Sequence, residues 1–511
     1  MGDSGDERVD VLVIGAGISG IDAAYHLQTY CPGRTYAILE GRERLGGTWD
    51  LFRYPGVRSD SDMHTLGFGF KPWTADKAIA DGPSILAYLQ ETVDEHGIAP
   101  HIRYRHVARR ASWSSADGEW TVDVDHDGTR RTFRCTFLFV CAGYYSYRGG
   151  YAAEIPGIGR FAGRVLHPQA WPDDVDLTGQ RVVVIGSGAT AVTLVPAIAG
   201  DAAHVTMLQR SPTYVVSRPE RDAIANGLRR VLPARLAYAI TRRKNIAMQQ
   251  FIYRRSRVAP VKMKGQLISM VRKQLGPHYD VDTHFTPSYG PWDQRLCLVP
   301  DGDLFAAIRG GSASVVTDRI RTVTERGIEL ESGATLEADV IVTATGLQMV
   351  TLGEMDITVD GDPVDFATRF MYKGLAYADV PNLASSFGYI NASWTLRADL
   401  TCRFVTRLLN HMDETATTQC TPRLRPADRG MSPRPFVEQF SSGYVQRVVH
   451  QLPKQGDRDP WRHPQRYDDD RALLLDAPIE DGVMQFTRTA NVADPSTFRA
   501  RANMVGASAK S

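Results

Sequence analysis

The residues best suited to chemistry begin with a glycine-rich turn, GAGISG at residues 15–20, which follows an apolar run at 9–14. Glycine lets a pyrophosphate group approach the backbone, and the N–H groups at the start of the next helix bind its charge. Glu40 follows a second apolar run at 36–39, where a carboxylate can bind ribose hydroxyl groups. The pattern predicts a site for the ADP part of a dinucleotide. The predicted contacts of this first site are Gly15, Gly17, Ser19, Gly20 and Glu40.

A second glycine-rich turn, GSGATA at 186–191, follows an apolar run at 181–185. After the next apolar run, at 205–208, Arg210 stands where an NAD site would have an acid. A cation there can bind a 2′-phosphate, which favours NADPH over NADH; the alternative is an exposed arginine with a solvated charge. The predicted contacts of this second site are Gly186, Ser187, Gly188, Ala189, Thr190, Ala191, Arg210 and Ser211.

The sequence on either side of each turn indicates the strand and helix that position it. Each apolar run is typical of a buried parallel strand that leads into a turn and a helix. Short alternating strands follow each turn and end in small-residue turns at 141–143 and 344–346. This loose internal duplication predicts an α/β protein with two Rossmann-like dinucleotide-binding domains, the second inserted into the first.

The composition is that of a soluble globular protein of 511 residues, with 59 basic and 58 acidic side chains. An acidic N-terminus and the lack of a long apolar run predict a cytoplasmic protein. The six cysteines form no CxxC pair and the 13 histidines are scattered, so we expect no metal site. The near-zero net charge argues against nucleic acid as a partner.

A segment at 218–275 departs from this balance, with fifteen basic and two acidic residues, a local net charge of +13. Apolar residues recur in it at helical spacing, and Pro233 is expected to divide the helical run. Three interpretations stay open for this basic insert: a solvated helical face, a cap over a substrate tunnel or subunit interface, or peripheral attachment to an anionic membrane.

Two further segments, GGTWDLFRYPGVRSDSD at 46–62 and FAGRVLHPQAWP at 161–172, are not explained by generic nucleotide binding. Here the chain resembles the type I Baeyer–Villiger monooxygenases, which belong to the class B flavin-dependent monooxygenases. PWDQRLCLVP at 291–300 and NASWTL at 391–396 are similar to the thioamide-prodrug-activating (ethionamide) monooxygenase subgroup. The family fingerprint, which couples the two domains, matches Phe161, Gly163, His167 and Trp171.

The resemblance implies FAD and NADPH as cofactors and O2 as co-substrate. It implies that ketones become esters or lactones through a C4a-peroxyflavin, and that thioamides and sulfides are S-oxygenated, so the partner is a small apolar ketone or thio compound. The implied arrangement is an FAD domain at 1–150 and, with a substrate-side cap, at 376–490, and an NADP domain at 151–375. We expect residues 491–511 to form a flexible tail and 412–435 a surface loop.

The resemblance also assigns residue roles. Arg295 matches the permanent cation beside the flavin, and Asp60 matches its carboxylate partner. Gln294 replaces a lysine common in the family, so the preference for NADPH rests on Arg210 and Ser211. Trp394 either faces the cofactor cleft or packs in the core. The further implied contacts of FAD are Thr48, Trp49, Asp60 and Val107.

Three other functions compete with this interpretation. One is a flavin N- or S-monooxygenase without Baeyer–Villiger activity, and another is a redox-sensing flavoprotein without turnover. A disulfide reductase would need a redox cysteine pair near the flavin, and residues 41–134 contain no cysteine. The oligomeric state stays open.

Overall fold

The computed structural model describes residues 6–438 and 440–489, so the predicted tail at 491–511 lies outside the described residues. The first part of the chain forms most of a large mixed sheet. Its elements are β1 (Asp6–Ile14), α1 (Ile18–Tyr30), β2 (Tyr36–Leu39), α2 (Thr48–Leu51), α3 (Met63–Leu66), α4 (Gly82–Glu95), β3 (Ile102–Arg103), β4 (His106–Ser114), β5 (Glu119–His126) and β6 (Thr129–Val140). Val11, Leu12 and Val13 are fully buried, since β1 lies between the parallel strands β2 and β6.

A second unit follows as an insertion. Its elements are β7 (Arg164–Leu166), β8 (Arg181–Ile185), α5 (Ala189–Ile198), β9 (His204–Gln209), β10 (Val215–Arg218), α6 (Ala223–Val231), α7 (Ala234–Val258), α8 (Pro260–Leu275), α9 (Val281–Phe285), β11 (Cys297–Pro300), α10 (Asp303–Arg309), β12 (Ala313–Thr317), β13 (Ile320–Thr324), β14 (Gly327–Leu330), β15 (Thr335–Glu337) and β16 (Val340–Thr343). Its main sheet is wholly parallel, in the order β12-β9-β8-β16-β7. The turn at 186–191 therefore follows a central strand, which is where a nucleotide site is expected in such a sheet.

The chain then returns to the first sheet. The remaining elements are β17 (Asp356–Val359), β18 (Asp362–Pro363), β19 (Met371–Tyr372), β20 (Ala376–Tyr377), β21 (Leu383–Ser385), α11 (Trp394–Glu414), β22 (Gln419–Pro422), β23 (Arg434–Pro435), α12 (Gly443–Gln446), β24 (Lys454–Gln455), α13 (Tyr467–Arg471) and β25 (Met484–Thr487). Because β17 pairs with β4, residues 356–363, which the sequence analysis places in the inserted domain, lie at the edge of the first sheet. The prediction of a surface loop at 412–435 is also wrong in part, since β22 lies within this range and pairs with β25.

The basic insert is helical, as predicted. Helix α6 ends at Val231 and α7 begins after Pro233, whose ring leaves no N–H to continue the first helix. Helix α7 packs against α3 of the first unit through Tyr238, whose hydroxyl donates to the Phe68 carbonyl at 2.9 Å. The insert therefore bridges both units. No helix in the described part of the chain is long and apolar enough to span a membrane.

Candidate active site

The first glycine-rich turn is closed by backbone contacts that exclude larger residues. Gly15 has φ +102°, and a Cβ atom there would lie 2.8 Å from the Cys141 carbonyl oxygen. A Cβ atom at Gly20 would lie 1.8 Å from the Gly15 carbonyl oxygen, so helix α1 can approach the turn only through glycine. Helix α1 begins immediately after Gly17 and points its N–H groups at the turn. The local geometry fits a pyrophosphate-binding turn.

Glu40 supports the same turn from the end of β2. Its carboxylate accepts hydrogen bonds from the Ala16 N–H at 2.8 Å and the Arg42 N–H at 2.9 Å. Burial raises the pKa of Glu40, while these two N–H groups oppose the increase. The carboxylate is therefore held in one position beside the turn.

A cavity of about 510 Å³ lies against this turn. Of the residues predicted to contact FAD, those that line it are Gly15, Gly17, Ser19, Glu40, Thr48, Trp49, Asp60 and Val107. Gly20 does not line it, because it packs on Gly15. The lining of this cavity extends from the first turn to Arg295 and includes Ala189 and Thr190 of the second turn. We call this the first cavity.

Arg295 and Asp60 lie at the inner end of the first cavity. Arg295 Nη1 is 3.6 Å from Asp60 Oδ2, and the two side chains are 31% and 33% exposed. The negative charge of Asp60 raises the pKa of Arg295 above its already high usual value. The guanidinium thus carries a permanent positive charge that faces open space.

A second cavity, of about 950 Å³, meets the first one at this pair. Both cavities are bordered by Asp60, Ser61, Arg295, Leu298 and Ala392. The outer walls of the second cavity come from the basic insert, with apolar side chains of α7 and α8. Those apolar side chains are Ile252, Met263, Leu267 and Met270. The basic side chains of Arg218, Lys262 and Lys273 line it as well, so a molecule in the second cavity would contact Arg295 and a lining of apolar and basic side chains.

The second glycine-rich turn has the same construction as the first. Gly186 has φ +134°, and a Cβ atom there would lie 2.4 Å from the Ala344 carbonyl oxygen. Ser187 Oγ donates to the Ser211 carbonyl at 3.2 Å, which ties the turn to the end of β9. Arg210 is exposed there and has no acidic partner among the described residues. Ala191 is fully buried, so it packs α5 on the sheet and leaves Gly186, Ser187 and Gly188 to face outward.

The fingerprint residues line neither of the two cavities, and Phe161, Gly163 and Trp171 pack within the inserted unit. Gly163 cannot be larger, because a Cβ atom there would lie 2.2 Å from the Asp339 carbonyl oxygen. His167 Nδ1 accepts a hydrogen bond from the Gln169 N–H at 3.1 Å, and the ring covers Gly150. Burial lowers the pKa of His167, so the ring is neutral at pH 7. Phe161 and Trp171 pack against separate apolar clusters of the inserted unit.

Two residues that line the first cavity, Tyr144 and Tyr145, were not singled out from the sequence. Tyr144 stacks on Trp394 with ring centroids 5.0 Å apart, and the Tyr145 hydroxyl donates to the Tyr144 hydroxyl at 2.6 Å. Trp394 Nε1 donates to Ser19 Oγ at 2.7 Å, which places this tryptophan at the cleft. The sequence signal that could have identified them is their position, because Tyr144 and Tyr145 follow the carboxyl end of strand β6. Ligands bind at the carboxyl ends of parallel strands in such sheets.

Comparison with known proteins identifies the family. A model described as flavin-binding monooxygenase-like matches residues 79–359, and one for an NAD(P)-binding Rossmann-like domain matches residues 13–77. The chain is 51% identical, over 94% of its length, to the FAD-containing monooxygenase EthA of Mycobacterium tuberculosis, 98% of which is covered. The chain belongs to the flavin-binding monooxygenase-like family. The EthA of Mycolicibacterium smegmatis is 50% identical over 94% of the chain and 98% of that protein.

Solved structures of this flavin monooxygenase fold agree with the architecture. A steroid monooxygenase bound to NADP superposes with a TM-score of 0.76 at 22% identity, covering 94% of this chain and all of the other. OTEMO in complex with FAD and NADP gives a TM-score of 0.69 at 20% identity, with 98% of each chain covered. The predicted fold class and the resemblance to the type I Baeyer–Villiger and ethionamide monooxygenases are confirmed. The protein is a flavin-dependent monooxygenase with FAD and a nicotinamide dinucleotide as cofactors.

The described residues of this flavin monooxygenase fit the two cofactors. The turn at 15–20 and Glu40 offer N–H donors and a carboxylate to the ADP part of FAD, and Trp49 and Trp394 border the rest of the first cavity. The turn at 186–191 with Arg210 and Ser211 offers the same chemistry to NADPH, with a cation for its 2′-phosphate.

One buried cluster of the FAD domain has the composition of a metal site, formed by Asp22, His26 and Asp399. His26 Nε2 lies 3.4 Å from Asp22 Oδ1 and 3.1 Å from Asp399 Oδ1. Burial alone would lower the pKa of His26, but the two carboxylates raise it to about 9. With the imidazole protonated, the three side chains form a buried ion pair that joins α1 to α11.

Proposed function

We propose that this flavin-dependent monooxygenase inserts one oxygen atom of O2 next to the carbonyl group of ketones, giving esters or lactones. We propose that the same site oxygenates the sulfur of thioamides and sulfides. The observation that carries the proposal is the position of Arg295 and Asp60, where the first cavity meets the second cavity. A ketone at the border between the two cavities would therefore lie close to this pair.

In the proposed reaction, bound FAD that NADPH has reduced supplies the activated oxygen. Arg295 stabilises the negative charge that develops on oxygen when the carbonyl carbon is attacked, because a fixed cation close to that oxygen attracts the charge as it develops. Arginine is suited to this role, since it cannot release its proton to the reacting oxygen. Asp60 holds the guanidinium in place and balances its charge before substrate binds.

The remaining predicted residues serve binding in this proposal. The turn at 15–20, Glu40 and Val107 hold FAD, and the turn at 186–191 with Arg210 and Ser211 holds NADPH. His167 acts as a strut between the domains, in keeping with its neutral ring and its place outside both cavities. The apolar side chains of α7 and α8 bind the substrate and exclude water from Arg295.

Product analysis tests the proposal. Purified enzyme loaded with FAD is incubated with NADPH, ¹⁸O2 and, separately, linear, cyclic and aryl ketones and a thioamide, and the products are identified by mass spectrometry. We expect an ester or lactone that carries one ¹⁸O atom, and an S-oxide that carries one ¹⁸O atom. S-oxide without any ester would assign the protein to the flavin S-monooxygenases. Consumption of NADPH with hydrogen peroxide as sole product would refute both activities.

A further inference from the structure

Most of the large apolar side chains that are exposed in the described part of the chain lie in the basic insert. Twelve large apolar side chains are exposed in the described chain, and nine of them lie in this one segment. These nine are Ile224, Val231, Leu236, Ile240, Met248, Phe251, Val258, Val261 and Met270. Phe251 is 60% exposed, Val258 78% and Val261 85%, which are high values for side chains of this size. A concentration of exposed apolar side chains on three consecutive helices, α6, α7 and α8, indicates a surface that a partner covers.

Helix α7 separates an inner face from an outer face. The inner face binds the FAD domain: Arg242 donates to the Gly67 carbonyl at 2.7 Å, and Asn245 donates to Asp62 at 2.9 Å. Residues three or four positions apart share a face of a helix. The outer row therefore contains Leu236, Ile240, Arg243, Ala247, Phe251, Arg255 and Val258, all of which are exposed. Five apolar side chains and two arginines follow one another along this row.

The cations of the insert have few partners. Both of its acids are already paired, Glu220 with Lys77 at 2.7 Å and Asp222 with Lys244 at 2.8 Å. Eight exposed basic side chains have no acidic partner among the described residues. They are Arg218, Arg230, Arg235, Arg243, Arg254, Arg255, Lys262 and Lys273. The surface therefore combines apolar side chains with an uncompensated positive charge.

We infer that the basic insert docks on an anionic lipid bilayer, with α7 lying along the interface. Helices with apolar and cationic side chains on one exposed face insert the former among acyl chains and place the latter at the phosphate groups. A second copy of this chain is a poorer partner, because a symmetric interface would bring two sets of unpaired cations together. Nucleic acid would satisfy the cations but leave Phe251, Val258 and Val261 exposed to water.

The proposed orientation connects the bilayer to the second cavity. Helix α8 supplies Val261 to the apolar surface, while Met263 and Met270 of the same helix line the second cavity. Docking would place the opening of that cavity near the acyl chains, from which an apolar substrate could enter. This consequence rests on the proposed function, whereas docking itself does not.

Flotation with vesicles tests the docking. The full-length enzyme, loaded with FAD, is mixed at 150 mM NaCl with vesicles of phosphatidylcholine, or of equal parts phosphatidylcholine and phosphatidylglycerol, and centrifuged through a density gradient. We expect it to float with the anionic vesicles only, and to release them at 1 M NaCl, where charges are screened beyond about 3 Å. Each basic residue near such a surface strengthens partitioning by about fivefold.

Three variants make the test specific. Arg243→Gln/Arg255→Gln is expected to bind anionic vesicles about 25-fold more weakly, and Phe251→Ser about tenfold more weakly because an aromatic side chain no longer enters the bilayer. Arg319→Gln/Arg326→Gln removes two exposed cations near the β13–β14 hairpin and should bind normally. FAD content and oxygenation of a water-soluble substrate check that every variant is folded.

Three results would overturn the inference. One is a wild-type enzyme that stays at the bottom of the gradient with anionic vesicles. Another is a dimer, detected by light scattering, that Phe251→Ser dissociates while vesicle binding is unchanged, which would assign the patch to a second copy. Equal loss of binding in the insert and control variants would also count against a docking surface on the insert, because it would indicate nonspecific attraction of positive charge.

Discussion

The pairing of Arg295 with Asp60 gives the sharpest prediction for the chemistry. Asp60→Asn keeps the shape of the side chain and removes its charge. At an effective dielectric constant of about 20, opposite charges 3.6 Å apart attract by about 4.6 kcal/mol. Since each side chain is about one-third exposed, screening by water reduces this attraction to about 1–3 kcal/mol, which lies between the strengths of surface and buried ion pairs. We therefore expect kcat/KM for ketone oxygenation to fall by about tenfold to hundredfold.

A double-mutant cycle separates this role from others. Arg295→Met is expected to lower kcat by at least about hundredfold, the cost of removing one group that stabilises developing negative charge. If Asp60 acts through Arg295, then adding Asp60→Asn to Arg295→Met will cost little more. The assay is ester formation by gas chromatography, with FAD occupancy measured from flavin absorbance in each variant. Equal costs of Asp60→Asn in both backgrounds would refute the reasoning, as would an Arg295→Met enzyme that keeps its oxygenation rate.

Three further predictions concern the cofactor sites and the buried ion pair. Arg210→Ala should raise KM for NADPH by about tenfold or more and leave KM for NADH unchanged, which steady-state kinetics with both cofactors will measure; equal changes would contradict a role at the 2′-phosphate. Gly20→Ala should be purified without FAD, because its Cβ atom would lie 1.8 Å from the Gly15 carbonyl oxygen, whereas Gly188→Ala, whose Cβ atom has no neighbour within 4 Å, should retain the flavin. The pKa of His26 is raised from 6.5 to about 9, so between pH 6.5 and pH 9 the folded protein holds up to one more proton than the unfolded chain. In this pH range the free energy of unfolding should therefore fall by up to about 1.4 kcal/mol for each pH unit that the pH rises. Urea unfolding at several pH values should show that slope in the wild type and a smaller one in His26→Gln.

The strands that position both turns could be predicted from the sequence. Residues 36–39 and 181–185 were predicted as strands and are observed as β2 and β8 with the same bounds. Both strands are almost entirely apolar, because a central parallel strand is buried on both faces. The turns could be predicted for a related reason, since only glycine satisfies the close backbone contacts at Gly15 and Gly186.

Elements whose partners lie far along the chain could not be predicted in this way. Strand β22 pairs with β25, more than sixty residues later, and a four-residue strand that ends in proline has no periodicity of its own. Likewise, β17 joins the first sheet beside β4, although nothing in its sequence indicates which of the two sheets it enters. The contact of Trp394 with Ser19 joins residues 375 positions apart, so the sequence left two interpretations of this tryptophan open.

The near-zero net charge conceals a separation of charge that affects binding to a bilayer. The whole chain has a net charge of +1 and the basic insert one of +13, so the other residues together carry −12. If the charges were uniformly distributed, an anionic surface would neither attract nor repel the enzyme strongly in any orientation. Separated charges attract it through the insert and repel it elsewhere, so that the field selects one orientation. At physiological salt the field extends about 8 Å, so the attraction acts on the outer face of α7 while the repulsion of the distant acidic surface is largely screened. Vesicle binding should therefore be stronger at moderate salt than the net charge of +1 predicts.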